Sequence, residues 1–377
     1  MTLHGRIHFV NFARKLTVTS IFFLIPLHFL ALGFNGWQIG FVISAFAVAP
    51  LLVAFPTGWT NDRFSISGVI RTSLAAEAAL LAVIAYARSF PLMAAAFLGL
   101  GMANNVLDVS INSLYYKDET EMDQNRKYSN YVFWVGIGPA LGVFGGGVLT
   151  RFADFRILFL VFAGIMAAVF AGVRGFDHER FHVVPFREYR RNLARKKTVL
   201  FIIFIFVLAT HWGVEGTVYS PYLAQAFGLD GFGASIYMSA GLFMLSMAAF
   251  LVGFLKFDVR VNRRLILGAM LLSGVGMIAM VQRNVYVSFA FRVLHEISDG
   301  VLGATLTLVI SRLFERRSIG GSAGLLVAIQ ISGQMLGAMV YSPLGYRAGL
   351  HYPFLIAGAV LILDMIYGAF IFRRLEY

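Results

Sequence analysis

Four ionisable residues fall within one apolar stretch of the chain: Arg292, His295, Glu296 and Asp299. Their spacing of i, i+3, i+4 and i+7 places all four on one stripe of a helix. A second apolar stretch carries His211 and Glu215 at i and i+4. Carboxylates and imidazoles in apolar surroundings, with a guanidinium beside them, are suited to exchanging protons, because burial and the neighbouring charge act in opposite senses. Glu215 or Glu296 is the expected proton carrier and Arg292 its electrostatic partner. His211, His295 and Asp299 are expected to serve as relay groups or solute contacts. The same groups are also ligands of the kind that Zn, Mn or Fe(II) prefer, but Arg292 on the same stripe would repel a cation, so no metal site is expected. Charges permanently paired to fix helix orientation are the structural alternative.

The elements that must carry these residues are membrane helices. Hydrophobic residues make up 59% of the 377 residues and charged residues 13%, and runs such as Leu16 to Phe34 and Val199 to Leu208 lack a polar face. Segments of about 10 residues with alternating hydrophobicity, which a membrane barrel needs, are absent, so an all-α membrane protein follows. Spans are expected near 13–33, 37–57, 68–87, 90–114, 128–149, 156–173, 198–226, 232–255, 264–282, 286–311, 321–343 and 350–371. One charge at the bilayer centre costs about 2.5–3.5 kcal/mol on insertion scales, so the polar stripes must face protein or water.

The residues that interrupt these runs recur 195 positions later. Pro26 returns as Pro221, Gly33 as Gly228, Gly36 as Gly231, Gly58 as Gly253, and Gly138-x-x-x-Gly142 as Gly333-x-x-x-Gly337. The expected organisation is therefore two matching six-helix bundles, 1–173 and 198–377, joined by a cytoplasmic linker, 174–197, with eight basic residues. Within the linker, the segment from Phe186 to Lys197 reads as a basic amphipathic helix on anionic lipid headgroups.

A net charge of +12 would point to nucleic acid in a soluble protein, but here the basic residues sort by loop. With the N-terminus cytoplasmic, 25 of 31 Lys and Arg fall inside, Arg88, Arg151, Arg156, Arg283 and Arg347 fall outside, and Arg292 lies within a span. A multi-pass protein of the cell (plasma) membrane with both termini cytoplasmic and no nucleic-acid partner is the expectation. Arg6 to Lys15 reads as a short basic leader running into the first span. The absence of cysteine excludes disulfides and thiolate metal sites.

The loop after the second expected span reads Gly58-Trp-Thr-Asn-Asp62-Arg63, with Arg71 following. It resembles the cytoplasmic loop signature of the major facilitator superfamily. A weaker copy, Gly253-Phe-Leu-Lys-Phe-Asp258-Val-Arg260 with Arg263 and Arg264, occupies the same place in the second half. The resemblance implies the twelve-helix fold of two pseudo-symmetric bundles. It implies that spans one, four, seven and ten line a central cavity, and that Gly58, Asp62, Arg63 and Arg71 belong to a gating network on the cytoplasmic side.

Gly138-Pro139-Ala-Leu-Gly142 is similar to the glycine-proline signature of the family's proton-driven antiporters, although Trp134 stands where the family has an earlier glycine. Packing without directional meaning is the other reading of this glycine face. The fourth span lacks the arginine many family members carry. It offers Asn104, Asp108 and Asn112, which share a face at four-residue spacing. These three, with Trp212, Tyr219 and His28, are expected to contact the solute. Glu77 and Asp364 are expected to be hydrogen-bond partners between more peripheral helices.

The implied function is proton-coupled secondary transport of a small organic solute by alternating access, with export of amphiphilic or drug-like compounds favoured. A facilitative uniporter, or a divalent-metal transporter using the cluster of spans seven and ten, is the alternative. No Gly-x-x-x-x-Gly-Lys-Ser/Thr loop, His-Glu-x-x-His helix or Gly-x-Ser-x-Gly elbow is present, which argues against a nucleotide-driven pump and against an enzyme. No cofactor is required. A cavity formed between two halves of one chain needs no second subunit, so a monomer is expected.

Overall fold

The structure is a computed structural model that describes residues 3–34, 36–117, 123–173, 176, 186–255, 259–314 and 319–374. Helices α1 (Leu3–Arg14) and α2 (Ser20–Ala31) are joined by a π-helical turn, Lys15–Thr19, into one rod. After it come α3 (Gly36–Asn61), α4 (Ile66–Tyr86), α5 (Phe90–Lys117), α6 (Gln124–Phe152) and α7 (Phe155–Gly172). The short α8 (Phe186–Leu193) precedes a second interrupted rod, α9 (Lys196–Ala209), α10 (Trp212–Thr217) and α11 (Tyr219–Phe227). The chain continues through α12 (Gly231–Val252), α13 (Val259–Ala279), α14 (Val285–Leu313), α15 (Ile319–Ala348) and α16 (Tyr352–Arg374). No strand occurs among the described residues.

Two boundaries differ from the sequence expectation. The first rod begins at Leu3 rather than near residue 13, so most of the supposed basic leader is helix. Ile7, Val10, Asn11 and Arg14, spaced i, i+3, i+4 and i+7, are all wholly buried and form the stripe that seats α1. The charges at Arg6, Arg14 and Lys15 lower the mean hydropathy and mask that stripe. Eleven helices among the described residues are long and apolar enough to cross a membrane, one fewer than the twelve expected. The remaining rod is α13, where Asn262, Arg263 and Arg264 dilute the apolar run.

Polar side chains fix where several helices start. Asp123 accepts from the backbone N–H groups of Asn125 and Arg126, Asp154 from Ile157, Asp230 from Gly233, and Asn284 from Tyr286 and Val287. The chain turns after each interrupted rod through a left-handed glycine, Gly33 (φ 79°) and Gly228 (φ 64°), the pair 195 residues apart. The buried apolar side chains gather into two large clusters. One draws on α1 to α7 plus Leu308, the other on α9 to α16 plus Val143. Between them α6 packs along α12 and α3 along α15.

The repeated glycines explain the two interrupted rods. A Cβ on Gly138 would strike the carbonyl of Phe12, and one on Gly142 the carbonyl of Leu16 and the hydroxyl of Ser20. In the second half Gly333 faces the carbonyl of Phe206 and Gly337 that of Thr210. Both fifth-position helices thus cross the first rod of their half backbone to backbone. At each crossing the rod leaves regular α geometry, as the π turn Lys15–Thr19 in one half and the break at Thr210 and His211 in the other. Hydroxyls take up the displaced carbonyls, with Thr17 donating to Ala13 O at 2.9 Å and Thr210 to Val207 O at 2.7 Å.

Gly142→Leu should therefore lower stability by about 1–3 kcal/mol or more, read as the unfolding midpoint of purified protein in detergent. Gly145→Ala, on the same helix but facing open space, should leave that midpoint where it is.

Candidate functional site

A cavity of about 840 Å³ lies between the two clusters. Its first wall carries Arg14, Lys15, Asn104, Asp108, Asn112 and Tyr131 from the first rod, α5 and α6. Its second wall carries Trp212, Glu215 and Thr217 from α10, Thr307 from α14, and Gln330 and Gln334 from α15. Apolar surface, including Phe22, Phe23 and Phe46, completes it. Few polar groups set into a mostly apolar concavity is the usual build of an organic-ligand site.

The first wall is organised by Arg14. Its guanidinium is wholly buried, donates to Asn104 Oδ1 at 3.0 Å and to Asn11 Oδ1 at 2.9 Å, and forms an ion pair with Asp108. Asn112 Nδ2 donates to the other Asp108 oxygen at 3.3 Å, and the Tyr131 hydroxyl donates to Asn112 Oδ1. The expected face of Asn104, Asp108 and Asn112 does line the cavity, but Asn104 and Asp108 are engaged in holding Arg14 and Asn112 Oδ1 accepts from Tyr131. Arg14, Lys15 and Tyr131 escaped sequence reasoning. The buried stripe through residue 14 was the available signal for Arg14; nothing local marks Tyr131.

The second wall brings the two expected stripes together. Arg292, wholly buried, forms ion pairs with Glu215 across the helices and with Glu296 one turn along α14. It also lies over the ring of Tyr219 at 4.5 Å, where its charge meets the ring's negative face. His295 Nε2 lies 3.1 Å from Glu215 Oε1, and its Nδ1 lies 3.0 Å from the Ser273 carbonyl. Asp299 is met by His211 Nε2 at 3.0 Å, by the Ser273 hydroxyl at 2.8 Å and by the Trp212 indole N–H at 3.4 Å. Of these groups only Glu215 and Trp212 reach the cavity; Arg292, His211, His295, Glu296 and Asp299 sit behind them. The cluster is a polar layer one side chain removed from the opening.

The remaining expected site residues lie elsewhere. Tyr219 is buried beneath Arg292, off the cavity, and His28 sits among Phe29, Phe155 and Phe159, with ring centroids 6.2, 4.8 and 5.4 Å away. Neither reaches the solute space, because both face the core of their own half. Asp62 is buried at the end of α3, where its backbone N–H donates to Gly58 O at 3.1 Å. Arg63 covers the Trp59 ring at 3.9 Å and Arg71 the Phe170 ring at 5.3 Å. In the second loop, Asp258 lies outside the described residues, as do the side chain of Arg260 and most of the 174–185 linker segment. Arg263 donates to the Ala369 carbonyl at 3.3 Å, tying α13 to α16. Pro139 lies within a continuous α6, flanked by the two crossing glycines. Glu77 and Asp364 are both buried, but neither carboxylate oxygen of Glu77 is hydrogen-bonded, nor is Oδ2 of Asp364.

An all-helical membrane bundle with a cavity between two packed helix clusters is the architecture of a solute carrier. The sequence pattern of the Major Facilitator Superfamily matches residues 7–258 and again residues 200–376. The chain belongs to this family and is a membrane transporter, not an enzyme. Among solved structures it is similar to the human organic anion transporter MFSD10 (TETRAN), at 17% identity and a TM-score of 0.74, covering 98% of this chain and 100% of that one. It is equally similar to the nucleoside transporter NupG (D323A mutant), at 14% identity, a TM-score of 0.74 and the same coverage. At these identities the likeness is one of fold. No curated protein matches the chain.

Removing one partner of a buried ion pair leaves an uncompensated charge, at a cost of about 3–5 kcal/mol. Arg14→Gln should therefore lower the unfolding midpoint sharply, and Arg14→Gln/Asp108→Asn should recover much of the loss. Equal midpoints for the single and double variants would show that the two side chains do not depend on each other.

Proposed function

We propose that the protein is a proton-coupled secondary transporter that moves a small organic solute across the cell membrane. In this reading two bundles, 1–173 and 198–377, rock about the cavity, with 174–197 as the cytoplasmic linker and α13 as the twelfth span. Both termini are cytoplasmic, as the distribution of Lys and Arg supports, and one chain is the working unit. The cavity's size and mixed lining suit an organic molecule, and the two solved structures named above are transporters of organic anions and of nucleosides. The glycine-proline segment supports export of amphiphilic compounds.

One observation carries the proton coupling. With both histidines neutral and all three carboxylates ionised, Glu215, Glu296, Asp299 and Arg292 leave two negative charges in this cluster. Each ring nitrogen of His211 and of His295 faces oxygen: Leu208 O and Asp299 for the first, Ser273 O, the Ser273 hydroxyl and Glu215 for the second. A neutral His211 has one N–H and would set its bare nitrogen against Leu208 O or Asp299, and a neutral His295 could satisfy Nδ1 only by drawing the Ser273 hydroxyl hydrogen away from Asp299. Two added protons let all four ring nitrogens donate and cancel the charge together. Glu215, facing both the cavity and Arg292, is the group through which such a proton exchanges. Protonation of Glu215 releases Arg292 toward Glu296, and that change of partner is a local switch able to bias inward-facing against outward-facing states.

A second reading draws on the convergence of His211, His295 and Asp299, whose candidate ligand atoms lie within 4.8 Å of one another. A divalent cation there would also cancel the two charges, in competition with the protons. Calorimetry of purified protein with Zn²⁺ and Mn²⁺ separates the two, since only the metal reading gives saturable heat that His211→Ala abolishes.

Glu215→Gln and Glu296→Gln are the direct tests. In proteoliposomes under an imposed pH gradient, either substitution should cut solute accumulation by roughly tenfold or more, equivalent to about 1.4 kcal/mol of lost coupling. Counterflow exchange at equal pH should persist, because it needs no net proton movement. Undiminished gradient-driven accumulation in the double variant would rule out these carboxylates as carriers.

A further inference from the structure

Cations on the first wall are not equivalent. Arg14 is held by Asn11, Asn104 and Asp108, and the remaining acceptors, Asp108 Oδ2 and Asn112 Oδ1, take Asn112 and Tyr131. Lys15 follows it on the π turn, lines the same cavity, and makes no hydrogen bond or ion pair among the described residues. Its stem packs against Gly138, where a Cβ would strike Lys15 Cβ, so the helix crossing limits where the side chain can go. An ammonium set in a lipid-embedded bundle without a counter-charge is costly, and the open space in front of it is the solute cavity. Arg14 and Asp108 are already paired with each other, which leaves Lys15 as a cavity-lining cation without an ion-pair partner among the described residues.

We propose that Lys15 is the anchor for an anionic group of the transported solute. The proposal rests on the reading of this cavity as a solute site and adds the chemical class: an amphiphilic organic anion, whose carboxylate, sulfonate or phosphonate meets the ammonium while its apolar body lies against Phe22, Phe46 and Trp212. The second wall suits the opposite end of such a molecule. Its carboxylate at the cavity, Glu215, is engaged by Arg292 and His295, and the open groups there are the amides of Gln330 and Gln334. An anion entering the cavity therefore meets Lys15 and leaves the Arg14–Asp108 pair intact.

The test uses matched probes, 1-naphthaleneacetate and its uncharged amide, 1-naphthaleneacetamide, with the full-length protein reconstituted in liposomes and, in parallel, its binding in detergent followed by calorimetry. Wild type should bind and move the carboxylate in preference to the amide. Lys15→Gln should weaken carboxylate binding at least tenfold and leave the amide unchanged, and Lys15→Arg should restore most of the preference. The retained amide affinity in Lys15→Gln reports a folded cavity. If wild type handles carboxylate and amide alike, or if Lys15→Gln leaves carboxylate binding unchanged, the anchor is refuted while solute transport stands. If neither probe binds or moves with wild type, the anchor for organic anions is refuted. Failure of solute transport itself would show separately, as absence of flux across a wider set of neutral, cationic and anionic solutes.

Discussion

Charge held in a low-dielectric bundle must be matched, and the interior of this transporter is arranged around that constraint. Arg14 and Arg292 are both wholly buried, and each is surrounded by acceptors drawn from more than one helix. The two halves solve the problem with opposite polarity. In the first, the cation sits on the opening rod and its carboxylate, Asp108, on α5; in the second, the carboxylate Glu215 sits on the opening rod and the cation on α14. Because each pair spans two helices, each fixes the rotation of both, and the residues flanking it reach the cavity as a consequence. Glu215 and Trp212 face the opening because Arg292 and Asp299 hold them from behind.

Backbone packing supplies the second constraint. Two helices can approach closely enough to place Gly142 over the Leu16 carbonyl only if the residue there has no side chain, and the same holds for Gly337 over Thr210. These crossings fall at matching points of a repeat that is weak in overall residue identity. The repeat survives where geometry leaves a single choice of residue: the left-handed turns at Gly33 and Gly228 and the two glycine crossings. Elsewhere the residues differ, and the histidines beside Arg292 have no matching histidines beside Arg14.

Those same physical limits decide how much was legible in the sequence. Membrane helices announce themselves by composition, and the meeting of His211 and Glu215 with Arg292, His295, Glu296 and Asp299 follows from helical spacing and the family's known arrangement. Arg14 and Lys15 were obscured because a cation near the start of an apolar run has the same local signature whether it lies at the headgroups or inside a cavity. Only the buried stripe of Ile7, Val10 and Asn11 distinguishes the two cases. Tyr219 and His28 illustrate the converse. Their residue types invite a binding role, yet the rotation of each rod points them into its own half, and sequence alone does not fix rotation for a helix that is apolar all round. The interrupted seventh rod was equally hidden, since its break comes from the approach of Gly337, far away in the chain.

The irregular turns at Lys15–Thr19 and at Thr210–His211 lie at the depth of the cavity and not at the ends of their rods. A regular helix transmits tilt along its whole length, whereas a rod with a weakened turn at mid-depth bends there. In the proposed transport cycle, the two segments of each of these rods would bend against one another at the level of the cargo. One end of the path would then widen while the other stays shut, with the hinge placed where a bound molecule touches both segments.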